Sequence, residues 1–179
     1  HSASALDRQL AERTRELVAL GVDYLCVKDP TGLLTPERGR TLFPAVVAAG
    51  GGIPLQLHSH CQSGLAPEVY TEAMRAGFEY AYTALEPLGN GASLPTTQEI
   101  HRRALALGLR SSLDEEAMAE ASRYFEWLTV REAKPRGEVA RYDPALYEHQ
   151  VPGGMISNLR TQLDAMGIAH RLPEILEEA

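Results

Sequence analysis

The sequence predicts an α/β fold: a parallel sheet made of βα units, followed by a purely helical segment. Three observations predict it. Stretches of strand character begin near residues 22, 54 and 78. Each is separated from the next by a segment of helical periodicity, as parallel strands joined by crossover helices require. After residue 108 helical patterns recur and no further strand is evident.

The elements follow in order. Ser4 and Asp7 make a capping-box-like start, and Leu6, Leu10, Leu17 and Val18 then recur at helical spacing, with Gly21 placed to end the helix. Residues 22–28 (Val-Asp-Tyr-Leu-Cys-Val-Lys) read as a buried strand. Thr35-Pro36-Glu37 opens a second helix, with Thr as N-cap and Pro at the first helical position. Pro44 is expected to kink that helix and Gly50-Gly51-Gly52 to end it. Residues 53–60 form a second strand, about Pro67 to Ala76 a third helix stopped by Gly77, and residues 78–85 a third strand. The joints Leu20-Gly21-Val22-Asp23-Tyr24 and Ala76-Gly77-Phe78-Glu79-Tyr80 look like two copies of one helix-to-strand connection. A helix over about 97–107 follows. Ser112 and Glu115 then suggest a capping box for a helix reaching about Val130. Residues 134–154 read as a connection, and two last helices, about 156–166 and 170–178, are split at Gly167. The pattern divides the chain into a βα part, 1–108, and a helical extension, 109–179.

Composition narrows the function. The chain has 179 residues, enough for one domain with a core, and is 44% hydrophobic and 23% charged, as ordinary globular proteins are. Its net charge of −7 and the lack of a Lys/Arg cluster argue against nucleic acid or an anionic membrane as partner. No apolar run is long enough to span a bilayer and no signal peptide is visible, so a cytoplasmic setting is expected. The two cysteines, Cys26 and Cys61, are not in a Cys-x-x-Cys pattern, which fits a reducing compartment, although a Cys26–Cys61 bridge stays open as an alternative. The first residue is His1, not Met, so a processed product or an excerpt of a longer chain is expected.

The candidate chemistry sits where strands end. In a sheet of βα units functional residues gather at the C-terminal ends of strands. Lys28 and Asp29 close the first strand; His58 and His60 close the second. Residues two apart along a strand share a face, so the two imidazoles lie about 7 Å apart at Cα and can grip one metal ion. On its own, His-x-His also fits two half-exposed histidines without a ligand, and Lys28 alone fits a surface lysine. Cys61, one residue past His60, points to the other side and is not a candidate.

Longer motifs add a resemblance. Val27-Lys28-Asp29-Pro30-Thr31-Gly32-Leu33-Leu34-Thr35-Pro36 resembles the Lys-Asp-Met-Ala-Gly-Leu-Leu-x-Pro motif of the carboxyltransferase domain of pyruvate carboxylases, oxaloacetate decarboxylase α subunits and the transcarboxylase core subunit. Leu57-His58-Ser59-His60 with Ser63-Gly64-Leu65-Ala66 is similar to the family's His-Thr-His-x-x-Ser-Gly-Leu-Ala. Residues 87–95 are similar to Pro-Leu-Ser-Gly-Gly-Thr-Ser-Gln-Pro, and residues 149–159 match His-Gln-Val-Pro-Gly-Gly-Met-x-Ser-Asn-Leu almost throughout. The resemblance implies that the chain holds the C-terminal three βα units of a (β/α)₈ TIM-type barrel and a helical extension. It implies a divalent metal (zinc, manganese or cobalt) held by His58, His60 and a carbamylated Lys28. It also implies biotin on a separate domain or polypeptide, a biotin carboxyl carrier partner and a 2-oxo acid substrate carboxylated or decarboxylated through a metal-stabilised enolate. The family's Asp ligand, substrate-binding Arg and proton-shuttling Thr would lie outside this chain, and Ser157 is not assigned the shuttle role. Either a homo-oligomer or a missing barrel half is therefore expected as a partner.

Three departures mark a divergent member. Pro30-Thr31 replaces Met-Ala, Tyr80-Ala81-Tyr82-Thr83-Ala84 stands where Val-x-x-Ile-Asp-Thr-Ala is usual, and Leu94 stands in place of Gln. Two other readings remain. One is a lyase or Claisen-type synthase resembling hydroxymethylglutaryl-CoA lyase, against which Lys28 and the Pro-Gly-Gly-Met-Ile-Ser-Asn-Leu motif argue. The other is a truncated remnant that only binds a partner.

Overall fold

The computed structural model describes residues 5–142, 144 and 146–178. Helix α1 (Ala5–Ala19) leads to strand β1 (Leu25–Asp29), α2 (Pro36–Gly50), β2 (Leu55–Ser59), α3 (Ala66–Ala76), β3 (Tyr80–Ala81) and α4 (Thr97–Ala106). Then come α5 (Glu115–Arg131), α6 (Leu146–His149), α7 (Gly153–Ala165), a 3₁₀ turn (Ala169–Arg171) and α8 (Leu172–Glu177). The strands form one parallel sheet in the order β1-β2-β3, with Lys28 opposite His58 and Leu57 opposite Ala81.

One face of this sheet is sealed. Leu55, Leu57 and Ser59 are buried there, and the core continues through Leu42, Phe43 and Val46 of α2, Val69, Tyr70 and Ala73 of α3, and Phe78 and Ile100. Phe43 and Phe78 meet edge to face with centroids 5.0 Å apart, a preferred aromatic geometry. The opposite face is open: Cys26, Lys28, Tyr80 and Tyr82 are exposed, and Gln56, His58 and His60 are half-buried. The strand periodicity of two thus puts every candidate site residue on the unsealed face.

Several sequence expectations are corrected. β1 starts at Leu25, not near residue 22, and is alternately half-buried and exposed along most of its length because Cys26 and Lys28 lie on the open face of the sheet. β3 is reduced to Tyr80–Ala81, with a bridge between Ala84 and Thr96 beyond it; among the described residues no strand pairs with its other edge. The N-cap of α5 is Asp114, whose carboxylate accepts the Glu116 and Ala117 N–H groups, so the Ser112–Glu115 box does not form. Helix α7 begins at Gly153, earlier than expected, and α6 lies inside the stretch read as a connection. The expected cap Ser4 lies outside the described residues. Elsewhere the reading holds: Thr35 caps α2, accepting the Arg38 N–H at 3.2 Å, and Gly77 (φ +106°) stops α3. Helix α2 continues through Pro44 to a left-handed Gly51. Both cysteines are free.

Helix α1 buries an unusual stripe. Asp7, Ala11 and Thr14 face α2, and buried Asp7 pairs with Arg38. The leucines Leu6, Leu10 and Leu17 are exposed instead. Between α1, α2 and the free edge of β1 runs a groove of about 500 Å³ lined by Leu10, Leu17, Leu25, Leu34 and Val46.

Candidate metal and carboxyl-transfer site

The loop after β1 is shaped by Asp29. Its buried carboxylate accepts the Leu33 and Leu34 N–H groups, each at 3.0 Å, and the Ser59 hydroxyl at 2.8 Å. One side chain therefore folds residues 30–34 back over the sheet and ties the end of β1 to the end of β2. Gly32 is required in the turn: its φ is +70°, and a Cβ there would run into the His60 carbonyl.

Beside it, His58 and His60 project to the open face, as their spacing demands. Their Nε2 atoms approach to 3.1 Å. His60 Nδ1 lies 2.7 Å from the Ala92 carbonyl. A carbonyl only accepts, so Nδ1 carries the proton and Nε2 of neutral His60 keeps its lone pair. Burial, together with the His60 ring and the Lys28 ammonium, pushes His58 below its ordinary value of 6.5 and so favours its neutral form. Lys28 stands in register with His58 on the neighbouring strand, on the same face and exposed. Among the described residues, no group of three or more His, Cys, Asp or Glu side chains is arranged to hold a metal ion. The local donor set is two imidazoles and an amine.

The distant motifs converge here too. Ser93 O accepts the Cys61 N–H at 2.8 Å, seating the 87–95 loop on the end of β2. The 149–154 segment lies across both loops. Gln150 O accepts from Thr31 Oγ1 at 3.3 Å, and Val151 O accepts from Gln62 Nε2 at 3.1 Å. Gly153 packs so tightly that a Cβ would lie 2.5 Å from Gln62 Oε1 and 2.9 Å from the Ala92 Cβ. Four motifs, with contacting residues up to 119 apart in the chain, thus meet at the C-terminal ends of three strands, where βα folds place their sites.

Sequence reasoning named Asp29 at the strand end but not its loop-shaping role, and it missed two contributors: the Ala92 carbonyl, which fixes the His60 tautomer, and Tyr82, whose ring lies 5.2 Å from that of His58. Asp29 was legible as a motif residue, whereas a backbone carbonyl leaves no sequence signal.

Residues 146–179 match the family described as "conserved carboxylase domain". A pyruvate carboxylase subunit of Methanocaldococcus jannaschii is 34% identical over 175 residues, which is 95% of this chain and 30% of that protein. The methylmalonyl-CoA carboxyltransferase 5S subunit of Propionibacterium freudenreichii is 24% identical over 91% of this chain and 32% of its own length. Among solved structures, the carboxyl transferase domain of Rhizobium etli pyruvate carboxylase with pyruvate and biocytin matches with a TM-score of 0.85 at 26% identity, covering 96% of this chain and 28% of that one. The fold is therefore an α/β unit similar to part of a carboxyl transferase domain. The chain is a homologue of part of the carboxyltransferase domain of pyruvate carboxylases and related carboxyltransferases, and it spans about 30% of the length of its Methanocaldococcus jannaschii relative.

Proposed function

We propose that this chain is part of a biotin-dependent carboxyltransferase that moves a carboxyl group between biotin and a 2-oxo acid such as pyruvate or oxaloacetate. The observation that carries the reading is the convergence of four family-like motifs around His58 and His60. The partners are a biotin carboxyl carrier domain and the strands that would complete the sheet. We read residues 1–108 as the last three βα units of a (β/α)₈ barrel and 109–179 as its helical extension, with a cytoplasmic setting.

The donor set fits a divalent ion in part. Two nitrogens bound to one tetrahedral ion at about 2.1 Å lie about 3.4 Å apart, close to the separation of the two Nε2 atoms. His58 and His60 would hold the ion, and a carbamylated Lys28 would add an oxygen ligand; imidazole with oxygen suits zinc, manganese or cobalt. When bound, the ion supplies Lewis acidity toward the 2-oxo group of the substrate. The residues of this chain do the positioning. The Ala92 carbonyl keeps the His60 lone pair directed inward, and Asp29 holds the loop that follows Lys28. A partner carboxylate would complete the ligand set.

The test uses the complete protein that carries this sequence. Avidin-sensitive carboxyl transfer to or from pyruvate should be present and should fall by at least about 10² on His58→Ala, as loss of a metal ligand predicts. Biotin-independent cleavage of an acyl-CoA substrate would instead favour the lyase reading. The 179-residue chain alone should not decarboxylate oxaloacetate above the rate of free metal, because it offers at most three ligands.

A further inference from the structure

His60 Nδ1 meets a backbone carbonyl, whereas the His58 ring lies beside that of Tyr82. On the open face of the sheet, Gln56 and His58 of β2 lie beside Tyr82, immediately past β3. The Tyr82 and His58 rings are 5.2 Å apart at an interplanar angle of 46°. Tyr82 is itself pinned at three points. Its N–H donates to the Leu57 carbonyl at 2.9 Å, and its carbonyl accepts from the Tyr70 hydroxyl at 2.7 Å. Its own hydroxyl donates to Gln56 Oε1 at 3.0 Å. Tyr70 is 1% exposed, and its hydroxyl also accepts the Ser59 N–H at 3.0 Å, so the core fixes the backbone that presents Tyr82. Gln56 then fixes the ring from the sheet side.

We propose that Tyr82 is a positioning residue for His58: its ring walls one side of the imidazole and holds Nε2 toward His60 Nε2, 3.1 Å away. The second side-chain torsion of histidine is broad and roughly two-fold, so without a wall the ring turns and the pair opens. The contact surface of the ring does this, and the phenol hydroxyl only steadies it. This rests on the reading of His58 and His60 as a metal-binding pair. The sequence places a tyrosine here where the resembled family shows Asp, so this device belongs to the divergent character of the chain.

The test separates ring from hydroxyl in the full 179-residue chain. Tyr82→Phe keeps the wall and loses only the tether to Gln56, whereas Tyr82→Leu and Tyr82→Gln remove the wall. Zinc ion alone is titrated by calorimetry, and the imidazole nitrogens of His58 and His60 are followed by ¹⁵N NMR in metal-free protein. Tyr82→Phe should bind zinc within about twofold of the unsubstituted chain, and the ring-less variants about tenfold or more weakly, the range seen for groups that orient a ligand. The His58 ring signals should move in the ring-less variants while those of His60 stay. Zinc binding and His58 signals unchanged in Tyr82→Leu would overturn the proposal. If the unsubstituted chain binds no zinc, the metal reading fails by itself and the His58 signals alone decide the role of Tyr82. If both ring-less variants lose the far-ultraviolet signature of the fold, the unsubstituted chain decides: nuclear Overhauser contacts between the His58 and Tyr82 rings with one His58 ring orientation support the wall, and their absence overturns it.

Discussion

Single atoms decide what several residues can be. Gly153 and Gly154 are adjacent in sequence and differ completely in space. A Cβ at Gly153 collides with Gln62 and Ala92, whereas one at Gly154 meets nothing within 4 Å. Gly153→Ala should therefore cost about 1–3 kcal/mol, the usual penalty for overpacking. Gly154→Ala should be neutral or stabilise by up to about 1 kcal/mol, because alanine favours helix. Urea denaturation of the two variants checks both signs. The cysteines split in the same way. Cys26 is exposed on the open sheet face, while burial pushes the Cys61 thiol up to about 12. At pH 8 one thiol per folded chain should react with a disulfide reagent, and Cys26→Ser should remove that reaction; two should react after denaturation. Cys61 also has a pH signature. Between its ordinary value of 9.0 and about 12, the folded protein keeps a proton that the unfolded chain releases. Stability should fall as pH rises through that window, and the slope should lessen in Cys61→Ala.

Elements are legible to the degree that their signals are local. Thr35 followed by Pro36 names the start of α2 because capping chemistry is satisfied within one turn. The sequence reading places the start of α5 at Ser112, but Asp114, two residues on, caps it. Asp114→Ala should destabilise the chain by about 1 kcal/mol, as loss of a helix cap does, and Ser112→Ala should leave it unchanged. A thermal melt of each variant distinguishes them. Strand length is less local. β1 and β3 are shorter than expected, and among the described residues only β2 is held by hydrogen-bonded strands on both sides. The joint glycines Gly21 (φ +81°) and Gly77 (φ +106°) do share the left-handed conformation, so the two similar connections are alike in backbone.

The whole molecule is half sealed. One sheet face carries the core, and the other shows Tyr80 at 54% and Tyr82 at 43% exposure beside the histidines. Leu6, Leu10 and Leu17 line up outward on α1, next to the groove along the free edge of β1. Unpaired parallel edges and a continuous apolar stripe seldom stay in water. The isolated chain should associate, burying more than about 1,000 Å² against itself or a partner, as stable interfaces do. Light scattering reads the outcome; a monodisperse monomer that unfolds cooperatively would contradict it.

The sequence alone determined the order of elements from α1 to α5, the parallel character of the sheet and the face on which His58 and His60 lie, because periodicity and capping act within a few residues. It also carried the four motifs whose likeness to carboxyltransferases the comparisons bear out. Tertiary structure alone decided that the motifs meet. Only packing brings the 149–154 segment onto the loops of β1 and β2, sets the Ala92 carbonyl against His60 and lays Tyr82 against His58. Those contacts join residues far apart in the chain, and their geometry depends on how helices and strands stack, which no local pattern of residues encodes.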